Sequence, residues 1–219
     1  LLTPTCKNLT WLFAANNEAR REQAASARAI RRAAVLGAGV MGGGIAHLLA
    51  EQSIPARLKD VNEAALARGM AAAADLVRKQ LKRRRIDRRE ADRRMARIAP
   101  TLTYAGFAGV DIVIEAVVEE LKLKRAVLAE CEAVLSPEAV FATNTSSLPI
   151  DDIAAEARHP ERVVGLHFFN PVHRMPLVEV IAGRRSSPGA VATAHALARR
   201  LGKTPIVVKD TPGFLVNRI

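Results

Sequence analysis

The chain has 219 residues, 49% of them hydrophobic and 25% charged, with a formal net charge of +11. That length encloses one full α/β core, no apolar run approaches a membrane span, and no secretory leader is expected in the first residues. The two cysteines, Cys6 and Cys131, show neither metal-ligand nor redox spacing, which fits a reducing cytoplasm and leaves no metal site to expect.

Residues 1–30 are polar, Ala/Arg-rich and without glycine, and read as a connector, partly helical from about 16 to 29. Trp11, Leu12 and Phe13 are available there to dock on a neighbour. Leu1 is not an initiator methionine, and Phe214 to Ile219 read as the opening of an interrupted helix, so a longer parent polypeptide is expected. From Arg32 onward, apolar runs alternate with helical stretches, the pattern of a parallel α/β sheet. Strands are predicted near 33–36, 55–59, 99–103, 111–116, 139–143, 162–167, 178–181 and 205–209. Asn62 is placed to cap a long helix reaching about residue 84. Asp87 with Glu90 makes a capping-box-like start for the second half of a helical hairpin. Further helices are predicted over about 121–135 and 188–201.

The first strand runs into Gly37-Ala38-Gly39-Val40-Met41-Gly42, a G-x-G-x-x-G turn that opens an apolar helix. Gly37 supplies the sharp turn, Gly39 removes a side chain from the path of a pyrophosphate, and Gly42 lets the helix pack closely on the strand. The helix N-terminus presents unpaired N–H groups and a partial positive charge to phosphate. Asp60 follows Gly42 by 18 residues, at the end of the second predicted strand, where a carboxylate meets ribose hydroxyls. It would repel a 2′-phosphate, which favours NAD over NADP; Arg57 and Lys59 are nearby cations that weigh the other way.

Most of the excess charge is local. Residues 78–97 hold eleven Arg or Lys against Asp87, Glu90 and Asp92, a net of +8. A solvated basic helical pair, a site for a polyanionic small molecule and a nucleic-acid surface all fit such a run. Nucleic acid is the least supported, because no aromatic interleaving accompanies the charge.

Four polar islands sit at predicted strand ends, where open α/β sheets bind ligands. In Glu115 to Glu120, Glu119 lies five residues before Lys124, so a helix starting near Leu121 brings both toward the cofactor or leaves them as a surface ion pair. Asn144-Thr145-Ser146-Ser147 offers hydroxyls that bind a carbonyl or cap the next helix. In the third, Pro171 and Pro176 suit a chain reversal that returns a strand carrying Glu179 past His167. A histidine oriented by a carboxylate is a good general base. The fourth, Asp210 to Arg218, turns at Pro212-Gly213 and presents Asn217 on the first turn of a following helix.

Gly37 to Gly44, Asn144 to Ser147, Leu166-His167-Phe168-Phe169-Asn170-Pro171, Leu177 to Ile181 and Asp210 to Arg218 together resemble the L-3-hydroxyacyl-CoA dehydrogenases, in one collinear order from about 32 to 219. The form Val40-Met41-Gly42-Gly43-Gly44-Ile45-Ala46 is most similar to the dehydrogenase part of the multifunctional fatty-acid oxidation α-subunit. The resemblance implies a doubly wound, mostly parallel Rossmann sheet with a helical hairpin inserted after the second strand. It divides the chain into a connector at 1–30, an NAD-binding domain at 31–210 and the start of a helical domain at 211–219. It implies that His167 is catalytic, with Glu179 as its paired carboxylate, and that Ser146 and Asn217 contact the reacting oxygen and its surroundings. Gly37, Gly39, Met41, Gly42, Asp60, Val117, Val118, Glu119, Lys124, Ser146 and Asn170 are the implied cofactor contacts. Lys79 and Lys82 become candidates for the phosphates of an acyl-CoA substrate, as do Arg83, Arg84 and Arg85. The expected activity is NAD-dependent oxidation of L-3-hydroxyacyl-CoA in fatty-acid β-oxidation, with a thiolase subunit and a homo-oligomer as partners of the full-length protein. Three alternatives stay open: an NAD-binding module without turnover, a nucleic-acid binder acting through 78–97, and a Rossmann dehydrogenase of another substrate class.

Overall fold

The computed structural model describes residues 27–218. Most of the expected connector, with Trp11, Leu12, Phe13 and Cys6, lies outside the described residues. The described end of that connector, 27–29, is not helical. Its groups are committed to tertiary contacts instead: the Arg28 N–H donates to Thr193 Oγ1 (3.0 Å) and its guanidinium to Glu138 (2.6 Å).

Eight strands form one sheet: β1 (Ala33–Leu36), β2 (Ala56–Lys59), β3 (Ile98–Thr101), β4 (Ile112–Glu115), β5 (Val140–Thr143), β6 (Val163–Phe168), β7 (Leu177–Ala182) and β8 (Thr204–Lys209). Their spatial order is β3-β2-β1-β4-β5-β6-β7-β8. The strands from β3 across to β6 are parallel; β7 pairs antiparallel with β6, and β8 parallel with β7. This is the doubly wound arrangement, whose order reverses between β1 and β4 and opens a crevice at the strands' C-terminal ends. Both edge strands carry a proline, Pro100 in β3 and Pro205 in β8, where a missing ladder donor is tolerated. Every predicted strand is present, most with ends shifted by a residue or two.

Alternation along the strands divides the core. Val35, Ile112, Ile114, Ala142, Leu166 and Val180 face one cluster; Ala34, Leu36, Val113, Phe141 and Ile181 face the other. Over the first cluster lie α1 (Val40–Glu51), α2 (Glu63–Lys82) and α6 (Pro188–Arg200), and over the second α4 (Leu121–Glu132) and the single turn α5 (Ile150–Ile153). Between α2 and β3 lies α3 (Arg88–Ala96), which completes the hairpin. The caps are those expected: Asn62 Oδ1 accepts from Ala65 N (2.8 Å) and Asp87 Oδ1 from Glu90 N (2.7 Å). The long helix stops at Lys82 rather than 84, because Arg84 adopts a left-handed conformation with φ 54°.

Glu51, at the end of α1, fastens the hairpin. It accepts from Gln80 Nε2 on α2 (2.9 Å) and Arg94 Nη1 on α3 (2.7 Å), while Glu90 accepts from Arg94 Nε (2.9 Å). Cys131 is buried in the second cluster, where burial pushes its thiol up to about 12. Among the described residues no helix is long and apolar enough to cross a membrane.

Candidate active site

The glycine turn is shaped by what its glycines exclude. Gly37 has φ +89°, and a Cβ there would lie 2.5 Å from the Ala116 carbonyl oxygen. At Gly42 a Cβ would fall 1.8 Å from the Gly37 carbonyl oxygen and 3.0 Å from its carbon, with Val35 Cγ1 at 3.3 Å. The close approach is thus chiefly of the helix to its own turn and only secondarily to the strand. Gly39 differs: a Cβ there would meet nothing within 4 Å, so open space lies over the N-terminus of α1. That space, with the unpaired first-turn N–H groups of α1 beside it, fits a dinucleotide pyrophosphate.

Because Leu36 pairs with Lys59, the next residue of β2's strand, Asp60, falls beside the turn. Asp60 Oδ2 accepts from Ala38 N and Oδ1 from Val61 N, both at 2.6 Å. A carboxylate has about four acceptor positions, so capacity remains for ribose hydroxyls. The two competing cations are directed elsewhere. Lys59 Nζ sits 4.5 Å above the Tyr104 ring, and the Arg57 guanidinium packs against Gly106.

At the same end of the sheet, antiparallel pairing sets His167 directly opposite Glu179. Both are buried, and His167 Nδ1 lies 2.8 Å from Glu179 Oε2. Phe169 and Phe214 flank the imidazole, with ring centroids 4.4 and 5.9 Å away. The second oxygen of Glu179 accepts from Leu215 N (2.9 Å) and Val216 N (3.0 Å). One carboxylate therefore orients the histidine and anchors the segment bearing Asn217. The Asn217 Nδ2 group donates to the Ser146 carbonyl (2.9 Å), bringing two predicted residues together across the cleft.

Glu119 organises the loop after β5. Its Oε1 accepts from Thr145 Oγ1 (2.6 Å), Ser146 N (2.8 Å), Ser146 Oγ (3.1 Å) and Ser147 N (3.2 Å). Burial pushes this carboxyl up, but the bonds from Thr145 and Ser146 and the Lys124 ammonium outweigh it and hold it at about 2. Helix capping, the other reading of these hydroxyls, falls elsewhere. Asp210 accepts from Ile150 N (2.9 Å) and Asp151 N (2.8 Å) at the start of α5.

Lys124 is not part of a surface ion pair. It is 1% exposed, and its ammonium lies 2.8 Å from Glu115 and 3.3 Å from Glu119, beneath the site. Glu115, which is fully buried and to which sequence reading gave no role, also accepts from Thr143 Oγ1 (2.6 Å) and Val117 N (2.8 Å). Asn144 was likewise passed over; its Oδ1 accepts from Phe168 N (2.8 Å) and ties β5 to the end of β6. An acidic residue ending an apolar strand, as in Ile112-Val113-Ile114-Glu115, was the available signal for the first.

Val118 and Asn170 are exposed at this edge, with Met41 and Val117 half-buried. Lys79 and Lys82 are exposed on the last turns of α2. Partial burial lowers the His173 pKa, with the Arg174 and Lys79 charges adding to it.

Residues 32–211 match the family model described as 3-hydroxyacyl-CoA dehydrogenase, NAD binding domain. Among solved structures, (S)-3-hydroxybutyryl-CoA dehydrogenase from Ralstonia eutropha is 38% identical over 87% of this chain and 68% of that one, with a TM-score of 0.84. The Escherichia coli 3-hydroxybutyryl-CoA dehydrogenase is 37% identical over 87% of this chain and 40% of that one, also with a TM-score of 0.84. The dehydrogenase part of multifunctional enzyme 1 from C. elegans is 30% identical over 83% of this chain and 42% of that one, with a TM-score of 0.74. The chain belongs to the 3-hydroxyacyl-CoA dehydrogenases, a family of NAD-dependent oxidoreductases, and residues 32–211 match its NAD binding domain.

Proposed function

We propose that the protein oxidises L-3-hydroxyacyl-CoA to 3-ketoacyl-CoA with NAD, as a step of fatty-acid β-oxidation, with His167 as general base. The observation that carries this reading is the buried His167–Glu179 pair at the same end of the sheet as the glycine turn. With Nδ1–H donating to Glu179, Nε2 is the nitrogen that takes the proton of the substrate 3-hydroxyl. Glu179 holds that tautomer and balances the charge of the imidazolium that forms. NAD, when bound, supplies the hydride acceptor for C3. Gly37, Gly39, Gly42 and Asp60 hold it on the turn side, and Met41, Val117, Val118, Glu119, Lys124 and Asn170 shape its nicotinamide side.

Ser146 and Asn217, joined through the Ser146 carbonyl, steady the developing ketone. Lys79 and Lys82 meet the phosphates of CoA. In this reading residues 31–210 form the cofactor domain and 211–219 begin a helical domain. The protein works in the cytoplasm as an oligomer beside a thiolase subunit.

The test is NADH fluorescence during titration into the protein, followed by acetoacetyl-CoA in the same cuvette. Saturable enhancement, then decay on adding the thioester, is the expected result. Enhancement that persists reduces the reading to cofactor binding, and no enhancement in folded protein overturns it. Asp60→Ala is expected to weaken NADH by about ten- to a hundredfold, the scale of one or two hydrogen bonds to a charged group. It is also expected to narrow the preference over NADPH. Competition between the two cofactors measures both effects, and an unchanged preference removes Asp60 from ribose recognition.

A further inference from the structure

Lys203 lies between α6 and β8 and is only 9% exposed. Its backbone is fixed by a bond from its N–H to the Ala198 carbonyl (3.0 Å), and Gly202 before it takes φ +75°. Its ammonium donates to two backbone carbonyls, those of Val172 and Met175 (2.9 Å to the latter). Both belong to the Pro171–Pro176 reversal that turns the His167 strand into the Glu179 strand. Within the reversal, Arg174 N and Met175 N donate to the Pro171 carbonyl (2.9 and 3.0 Å), and Thr204 N donates to that of Pro176 (2.8 Å). From the opposite side the buried Val172 packs on α1, with its Cβ 3.1 Å from where a Cβ on Gly44 would sit. The reversal is thus clamped between the helix that opens at the glycine turn and one buried ammonium.

We propose that Lys203 is a positioning residue for the general base: by holding the Val172 and Met175 carbonyls it fixes the β6–β7 register that puts His167 against Glu179 and presents Asn170 at the strand end. The assignment rests on His167 acting as the base. A buried charge is retained only where its donors are satisfied. Burial lowers the Lys203 pKa and the Glu51 carboxylate opposes that shift, while the two carbonyls accept from the ammonium.

The experiment follows His167 by NMR of protein labelled at its histidines, with His167→Gln assigning the resonance, in wild type, Lys203→Met and Lys203→Arg. NADH affinity and thermal unfolding are measured alongside. The charged group facing the imidazole is Glu179, on β7; Phe169 and Phe214 are the neighbouring rings. Loosening the pair opens the Nδ1–H that His167 gives Glu179 to exchange with water, so its signal in Lys203→Met is expected to exchange about tenfold faster or broaden away. Lys203→Arg should restore the wild-type signal. If Lys203→Met does not fold, Lys203→Gln, whose amide still donates to one carbonyl, is judged by the same criterion. A wild-type Nδ1–H signal in a folded variant overturns the assignment. Failure of the general-base reading shows separately, as undiminished turnover in His167→Gln.

Discussion

Replacing His167 with Gln is expected to lower turnover of L-3-hydroxyacyl-CoA by about 10²–10⁴-fold while NADH affinity holds, the usual scale of general acid–base catalysis. Gln is close to imidazole in length, and its amide can donate to Glu179 Oε2 as Nδ1–H does at 2.8 Å in the wild type. Glu179 Oε1 would go on accepting from Leu215 N and Val216 N, so the segment carrying Asn217 stays anchored. What the substitution removes is a nitrogen able to take a proton near neutral pH. Steady-state rates at saturating NAD, with NADH fluorescence as the binding control, check it. Undiminished turnover would take His167 out of the mechanism. A parallel loss of NADH affinity would mean that the variant had disturbed the cleft rather than the proton transfer.

Lys124→Met is expected to destabilise the protein by about 3–5 kcal/mol, a fall in Tm on the order of 10 °C for a domain of this size. The reason is the company the ammonium keeps. Lys124 is 1% exposed and lies 2.8 Å from Glu115, which is fully buried at the end of β4. Removing the lysine leaves a carboxylate in the core with, among the described residues, only Thr143 Oγ1 and Val117 N to satisfy it. The double variant Glu115→Gln, Lys124→Met removes both charges and should recover much of the loss, because an uncompensated buried charge costs more than an absent pair. Urea unfolding of the two singles and the double closes the cycle. A double variant no more stable than Lys124→Met would show that the lysine acts through packing of its alkyl chain.

Much of this molecule is written in short stretches of the chain. Apolar runs such as Ile112 to Ile114 and Val163 to Phe168 announce strands because a buried strand needs little beyond its own side chains to be recognised. Asn62 and Asp87 announce helix starts because a cap bonds to a neighbour three residues on. The glycine turn and Asp60 could be read together because two parallel strands in contact set their separation. Even the His167–Glu179 pair was legible, since Pro171 and Pro176 mark a reversal and an antiparallel register does the rest.

What the sequence did not disclose depends on which loops become neighbours, and that follows from the strand order. Placing β5 beside β4 brings Thr143 to Glu115 and the 145–147 turn to Glu119, 28 and 26 to 28 residues apart in the chain. The same packing sets Asp210 at the start of α5, 60 residues from Ile150, and carries Lys203 to the Val172 carbonyl 31 residues away. The sequence by itself determined the elements, their caps, the glycine turn and the histidine–carboxylate pair, all products of local geometry. Only the tertiary structure decided how the buried charges are satisfied. A carboxylate or ammonium stripped of water takes whatever partner the fold delivers, and no local pattern records which one that is.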